Sequence, residues 1–276
     1  MKIYNTTKGP FVEHEGNLYS FTESSFDVLI NQSNLYDFLE NSLAGKQPET
    51  SFEITDFLLA PIVSQEVWAS GVTYLRSKNA RMEESKDAGG GDFYDRVYSA
   101  ERPEIFFKAT AARTVGHKQN IRIRRDSKWN VPEPELTLFV NSNNEIAGYT
   151  IGNDVSSRDI EGENPLYLPQ AKSYDKSAAI GPAILVLKEP LTKETQILLE
   201  IEREGKQIFT QSTRLSQMKR ELPELVKYLT FECSFPFGCF LMTGTGIVPP
   251  DSFSLITGDT VHISIDNIGT LSNTVE

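Results

Sequence analysis

The chain has 276 residues, 39% of them hydrophobic and 24% charged, with a formal net charge of −11, enough for one large domain or a modest one with a small appendage. The acidic balance argues against a binder of nucleic acid or of anionic membranes, which needs a basic field. Two cysteines, Cys233 and Cys239, at no zinc or redox spacing, no apolar run of membrane-spanning length and no signal-peptide pattern in Met1–Pro10 predict a reduced, cytoplasmic protein.

In chain order, residues 1–62 are expected to form a small N-terminal domain, with short strands at Lys2–Tyr4 and Leu18–Phe21. A helix is predicted over Asn34–Ser42, where Leu35, Phe38 and Leu39 share a face. Leu59-Ala60-Pro61 marks the boundary, and residues 63–276 are expected to be the catalytic domain. Val67–Val72 reads as a strand. The charged stretch Thr73–Lys86 reads as a helix, and Asp87–Asp92, with its three glycines, as a hinge; together they predict a mobile lid. From Ile105 onward the pattern is strand-rich. Leu136–Val140 and Glu145–Ile151 flank Asn141-Ser142-Asn143-Asn144 as a hairpin, and Ile197–Glu202 and Gln207–Gln211 flank Gly205 as another. Ile184–Leu187 and Val261–Ile265 read as strands and Pro223–Phe231 as a helix. Without regular alternation of strand and helix, the expected class is α+β and β-rich.

One constellation carries chemistry. Pro132-Glu133-Pro134-Glu135-Leu136 opens the first hairpin, and in an extended segment residues i and i+2 face the same way. Glu133 and Glu135 therefore lie side by side, and like charges so close repel unless a cation lies between them, or one is solvated or protonated. Asp154, at the end of the partner strand, returns beside them. Three carboxylates make a hard-oxygen site suited to Mg²⁺ or Mn²⁺, with Ca²⁺ as a possible substitute. A lone Glu-x-Glu is more often a solvated edge, so the segments that follow decide the matter.

Gly152-Asn153-Asp154-Val155-Ser156-Ser157-Arg158-Asp159, Leu168-Pro169-Gln170-Ala171-Lys172-Ser173-Tyr174 and Ile180-Gly181-Pro182 resemble the fumarylacetoacetate hydrolase family. So do Leu241-Met242-Thr243-Gly244-Thr245-Gly246, Gly258-Asp259 and Asn267-Ile268-Gly269, and the likeness runs from about Val67 to the C-terminus in the family's order. Within the family, Gly71-Val72-Thr73-Tyr74, Arg76-Ser77, Ala80-Arg81, Glu83-Glu84-Ser85, Arg102–Lys108 and Asp159–Gln170 are most similar to the dehydratases of 2-keto-3-deoxy-pentonates. The resemblance implies a β-roll catalytic fold in a homodimer or homotetramer, with divalent metal on Glu133, Glu135 and Asp154. It also implies Lys172 beside the substrate, and Gly244 and Thr245 in a substrate-binding turn. Tyr74, Arg76, Arg81, Glu84 and Gln170 are further candidates for substrate contact.

The expected substrate is a small 2-keto-3-deoxy sugar acid, a pentonate, dehydrated to a product of the 2-oxoglutarate-semialdehyde type. A metal that chelates the keto acid acidifies C3. A lysine near a divalent ion and out of water has its charged form disfavoured, so Lys172 is the expected base or the electrostatic partner of the enolate. Glu104 is the candidate acid on the C4 side, against the alternative of a surface ion pair with Arg102. Lys108 and Arg158 are expected to be structural or to support the groups that touch the metal. The competing reading within the family is hydrolysis of a 2,4-diketo acid, as in acylpyruvases. Relatives of that kind carry a histidine in the lid to activate water, whereas Val67–Lys108 holds none; of the three histidines, His14, His117 and His262, none lies in these motifs. An inactive scaffold that keeps the fold is the third reading, and its mark would be loss of the carboxylates.

Overall fold

The computed structural model describes residues 1–49, 53–84 and 91–276, the side chains of residues 81, 83, 84 and 91–94 excepted. The largest element is a ten-stranded sheet in the order Asn17–Ser20, Gly9–His14, Lys2–Thr6, Ala178–Leu185, Ile146–Asp154, Pro134–Val140, Cys239–Met242, Glu66–Gly71, Glu104–Thr110, with Thr114–Val115 also pairing to Ala178–Leu185. A four-stranded sheet runs Lys206–Arg214, Gln196–Arg203, Thr260–Ile265, Gly269–Thr274. Asn130–Val131 and Ser156–Ser157 form a small ribbon. The three N-terminal strands extend the large sheet through Lys2–Thr6, hydrogen-bonded to Ala178–Leu185.

Both predicted hairpins form, because each turn has the residues its backbone requires. Asn144 takes φ +64° in the longer turn between Pro134–Val140 and Ile146–Asp154, while Glu204 and Gly205, at φ +52° and +71°, make the two-residue turn of the second hairpin. The predicted helices fall at Leu35–Leu43, Leu75–Glu84 and Leu222–Thr230, within two residues of expectation at most ends. Of the predicted hinge, residues 87–90 lie outside the described residues, and Gly91 begins a helix, Gly91–Ser99, that composition did not suggest. Gly9–His14, Cys239–Met242 and Gly269–Thr274 are additional strands of four to six residues, too short for a periodic signal.

The large sheet is buried on both faces at its centre. Leu136, Leu138 and Ile151 pack towards Ile197, Leu199, Ile263 and Leu271 of the four-stranded sheet. Phe139, Phe240, Ile180 and Ile184 pack on the other side against Leu29, Ile30, Leu35 and Leu39 of the N-terminal segment. Side chains alternate along Pro134–Val140, so Glu135 and Thr137 share a face with Phe139. One end of that face is apolar core; the other carries the acids. Among the described residues no helix is long and apolar enough to cross a membrane.

Gly152 lies opposite Glu135 in the register, and a Cβ there would come within 2.2 Å of Thr137 Oγ1 and 3.1 Å of Met242 Cε. Gly152→Ala is therefore expected to lower stability in urea by about 1–3 kcal/mol through overpacking. Most of that loss should vanish in a Thr137→Ala background, and strictly additive effects would show that this contact is not the cause.

Candidate active site

The first hairpin builds the site. Asp154 N–H donates to Glu133 O at 3.0 Å, which locks the last residue of one strand to the residue before the other. Glu133, Glu135 and Asp154, all buried, each offer a carboxylate oxygen, and the three oxygens lie within 4.8 Å of one another. Three cations are buried among them. Lys172 Nζ donates to Glu133 Oε2 at 2.8 Å, Asp154 Oδ2 at 3.2 Å and Ser156 Oγ at 2.5 Å. Lys108 Nζ lies 2.6 Å from Asp154 Oδ1 and donates to the carbonyls of Val155 and Lys172. Arg158 Nη2 lies 3.1 Å from Glu133 Oε1, which also accepts from Ser156 Oγ at 2.8 Å.

Full burial would make any one of these groups prohibitive as an isolated charge, so five of the six lie against partners of opposite sign. The exception is Glu135. Its carboxyl is held well above the usual carboxylate range by burial first, then by the charges of Asp154 and Glu133; Lys172 and the Gly244 N–H only partly oppose this. Burial likewise pushes the Lys108 ammonium down, against the pull of Asp154. An all-oxygen donor set with a surplus of repulsion at Glu135 fits a small hard dication.

Lys108 and Arg158, expected to be structural or to support the groups that touch the metal, stand in direct contact with the carboxylates Asp154 and Glu133. Ser156, which bridges Glu133 and Lys172, was not singled out by the sequence at all. The signals were present but modest: Lys108 ends the apolar run Ile105-Phe106-Phe107, and Ser156 and Arg158 follow Asp154 within four residues.

The remaining candidates divide. The Thr243-Gly244-Thr245 turn is buried against the triad, but the Gly244 N–H donates to Glu135 Oε2 at 2.5 Å. The Thr245 hydroxyl serves its own turn, donating to Ile247 O at 3.1 Å. Gly244, at φ +91°, leaves no room for a Cβ, which would lie 2.1 Å from Thr73 Oγ1. Tyr74 is 1% exposed, and its hydroxyl has no hydrogen-bond partner among the described residues. Burial and the nearby Glu135 charge raise its pKa, so it stays a donor. Glu104 faces Gly71 across two strands, and a Cβ on Gly71 would fall 2.0 Å from Glu104 Oε2, so this carboxylate lies against the main chain. Arg102 stacks its guanidinium over Tyr228 at 5.3 Å. Arg76 and Gln170 are exposed; Arg76 reaches Val248 O at 3.5 Å, and the Gln170 carbonyl accepts from Arg124 at 2.9 Å. The side chains of Arg81 and Glu84 lie outside the described residues. His117 accepts from Ser272 N–H at 3.1 Å, a structural role.

Residues 67–276 match the family model described as fumarylacetoacetate (FAA) hydrolase C-terminal. The chain belongs to this family. It is 49% identical over 218 residues, 78% of this chain and 73% of the relative, to a probable 2-keto-3-deoxyxylonate dehydratase of Haloferax volcanii. It is 39% identical over 289 aligned positions, 100% of this chain and 96% of the relative, to the 2-dehydro-3-deoxy-D-arabinonate dehydratase of Saccharolobus solfataricus. Among solved structures, a 2-keto-3-deoxy-D-arabinonate dehydratase complexed with magnesium and 2,5-dioxopentanoate superposes with a TM-score of 0.86 at 36% identity, covering 100% of this chain and 99% of that one.

The raised carboxyl of Glu135 has a consequence for pH. Without a cation it keeps its proton above the pH at which an unfolded glutamate loses it, so stability present at low pH is lost as pH rises through the folded value. A dication must displace that proton. Saturating MgCl₂ is therefore expected to raise Tm more at about pH 8 than at about pH 5. A gain that is equal at both values, by differential scanning fluorimetry, would contradict the assignment.

Proposed function

We propose that this protein is a Mg²⁺-dependent dehydratase of a 2-keto-3-deoxy-pentonate, with a 2-oxoglutarate-semialdehyde-type product. The observation that carries this reading is the buried cluster itself: three carboxylate oxygens within 4.8 Å, with Lys172 Nζ 2.8 Å from one acid and 3.2 Å from another. The likeness to a 2-dehydro-3-deoxy-D-arabinonate dehydratase and to a probable 2-keto-3-deoxyxylonate dehydratase supports it.

Glu133, Glu135 and Asp154 would hold the cation, and when bound it supplies the positive charge that polarises the keto acid and acidifies C3. The chain's own residues do the rest. Lys172 takes the C3 proton. Of the two buried lysines it is the better base, because its partners are side chains, two of them carboxylates whose charge a bound cation would share, whereas two of Lys108's partners are main-chain carbonyls. Lys108 and Arg158 keep Asp154 and Glu133 in place as charge moves. Glu104 gives a proton to the C4 hydroxyl, which leaves as water; a C5 proton then moves to C3, and the enol formed between C4 and C5 passes its O–H proton to C4 to give the aldehyde, with the carbon count unchanged. The Tyr74 hydroxyl, buried and unpartnered among the described residues, is a donor for a substrate oxygen. The active form is a homodimer or homotetramer.

A panel of 2-keto-3-deoxy-pentonates and -hexonates, incubated with and without Mg²⁺ and read by mass, tests the reading. The expected product is the substrate less one water, formed only with the metal. Two carbon fragments from a 2,4-diketo acid would transfer the protein to the hydrolases. Lys172→Met is expected to lower kcat by at least about a hundredfold, the scale of a lost general base. Calorimetry should still detect Mg²⁺ binding in that variant, and near-normal turnover would remove the lysine from the chemistry.

A further inference from the structure

The helices Leu75–Glu84 and Gly91–Ser99 pack on each other, and Lys78 Nζ joins them through Asp95 Oδ1 at 3.0 Å. Their two ends are far apart along the chain from what holds them, yet one short segment holds both. At the entry, Tyr74 forms an antiparallel bridge with Met218, and Lys219 N–H donates to Thr73 O at 2.9 Å. At the exit, Lys219 Nζ donates to the Tyr98 carbonyl and lies 4.3 Å from the centre of its ring. Arg220 completes the fastening. Its Nη1 donates to Glu101 O at 3.0 Å, and its Nη2 to Val97 O at 3.2 Å and Ala100 O at 2.6 Å.

We propose that Arg220 is a positioning residue for the reaction, fixing the helical pair and the approach to Glu104 relative to the carboxylates. The inference rests on the dehydratase reading for its kinetic part alone. Three features of the geometry carry it. Arg220 is 7% exposed, and Glu224 Oε1 orients it at 2.7 Å, so the guanidinium is built in. Its three carbonyl partners lie at and just past the C-terminus of Gly91–Ser99, where a helix leaves carbonyls unsatisfied and its dipole favours a cation. The planar fork serves several acceptors at once, which a lysine ammonium does not reproduce. The held segment ends at Glu101, three residues before Glu104. The other end passes from Thr73, whose Oγ1 donates to Thr243 O at 2.7 Å, to the Gly244 N–H on Glu135. Arg220 thus ties the exit of the pair, on the chain that leads to Glu104, to the same short segment whose main chain holds Thr73 and, through it, the turn that steadies a carboxylate.

The test compares Arg220→Met and Arg220→Lys with the wild type by amide hydrogen exchange, Mg²⁺ calorimetry and steady-state kinetics on a 2-keto-3-deoxy-pentonate. In Arg220→Met, exchange over residues 75–84 and 91–101 should rise about tenfold or more, the scale of a lost charged hydrogen bond, with the central sheet unchanged. KM should rise more than kcat falls, Mg²⁺ affinity should stay the same, and Arg220→Lys should recover part of both effects. Unchanged exchange over 97–101, exchange raised equally throughout the chain, or unaltered kinetics would overturn the proposal. Should Arg220→Met fail to fold, Glu224→Gln, which removes the charge that orients the guanidinium, is read by the same criteria. A wild type that turns over no 2-keto acid would sink the dehydratase reading, while exchange and Mg²⁺ affinity would still judge the anchor.

Discussion

Mutual neutralisation of buried charge is the constraint on which the rest of this structure depends. Glu133, Glu135 and Asp154 on one side, and Lys108, Lys172 and Arg158 on the other, are each no more than 4% exposed. No member is affordable in the interior without the others. The cluster therefore requires its backbone supports to be exact in place: a hairpin in register, a helix that ends at Lys172, and an edge strand that delivers Lys108. The balance is incomplete at Glu135, whose raised pKa marks the point where added positive charge is most welcome.

The surrounding glycines follow from the same crowding. Gly152 makes room for Thr137 beneath Glu135, Gly71 for the carboxylate of Glu104, and Gly244 for Thr73. In each case a side chain would fill space that a polar neighbour already holds. These contacts join four strands and one turn beneath the site, a support on which the acids need little reorganisation to meet a ligand.

Much of this was legible in the sequence because it is local. Glu133, Glu135 and Asp154 lie on the two arms of one hairpin, whose turn residues and alternation fix the register that brings them together. Both hairpins and the predicted helices were readable for the same reason. The cationic half of the cluster was harder. Lys108 and Lys172 approach Asp154 from 46 and 18 residues away, and nothing in the periodicity around Ile105–Phe107 says that the next side chain turns inwards. The strand Cys239–Met242 was invisible, since four wholly buried residues have no polar face to alternate with. The Gly244 N–H, expected to face substrate, is taken by Glu135, a pairing that only the tertiary arrangement reveals.

The placement of Cys239–Met242 carries a consequence for how the protein is made. This strand lies between Pro134–Val140 and Glu66–Gly71, antiparallel to the first and parallel to the second, so both wait for it with open edges. The acid-bearing hairpin can close early, as nearest neighbours in the chain do, but its sheet stays split until most of the polypeptide has been synthesised. During that interval two apolar strand edges are exposed and able to pair with the wrong partner. The union of the two halves of the sheet thus depends on a late strand of four residues.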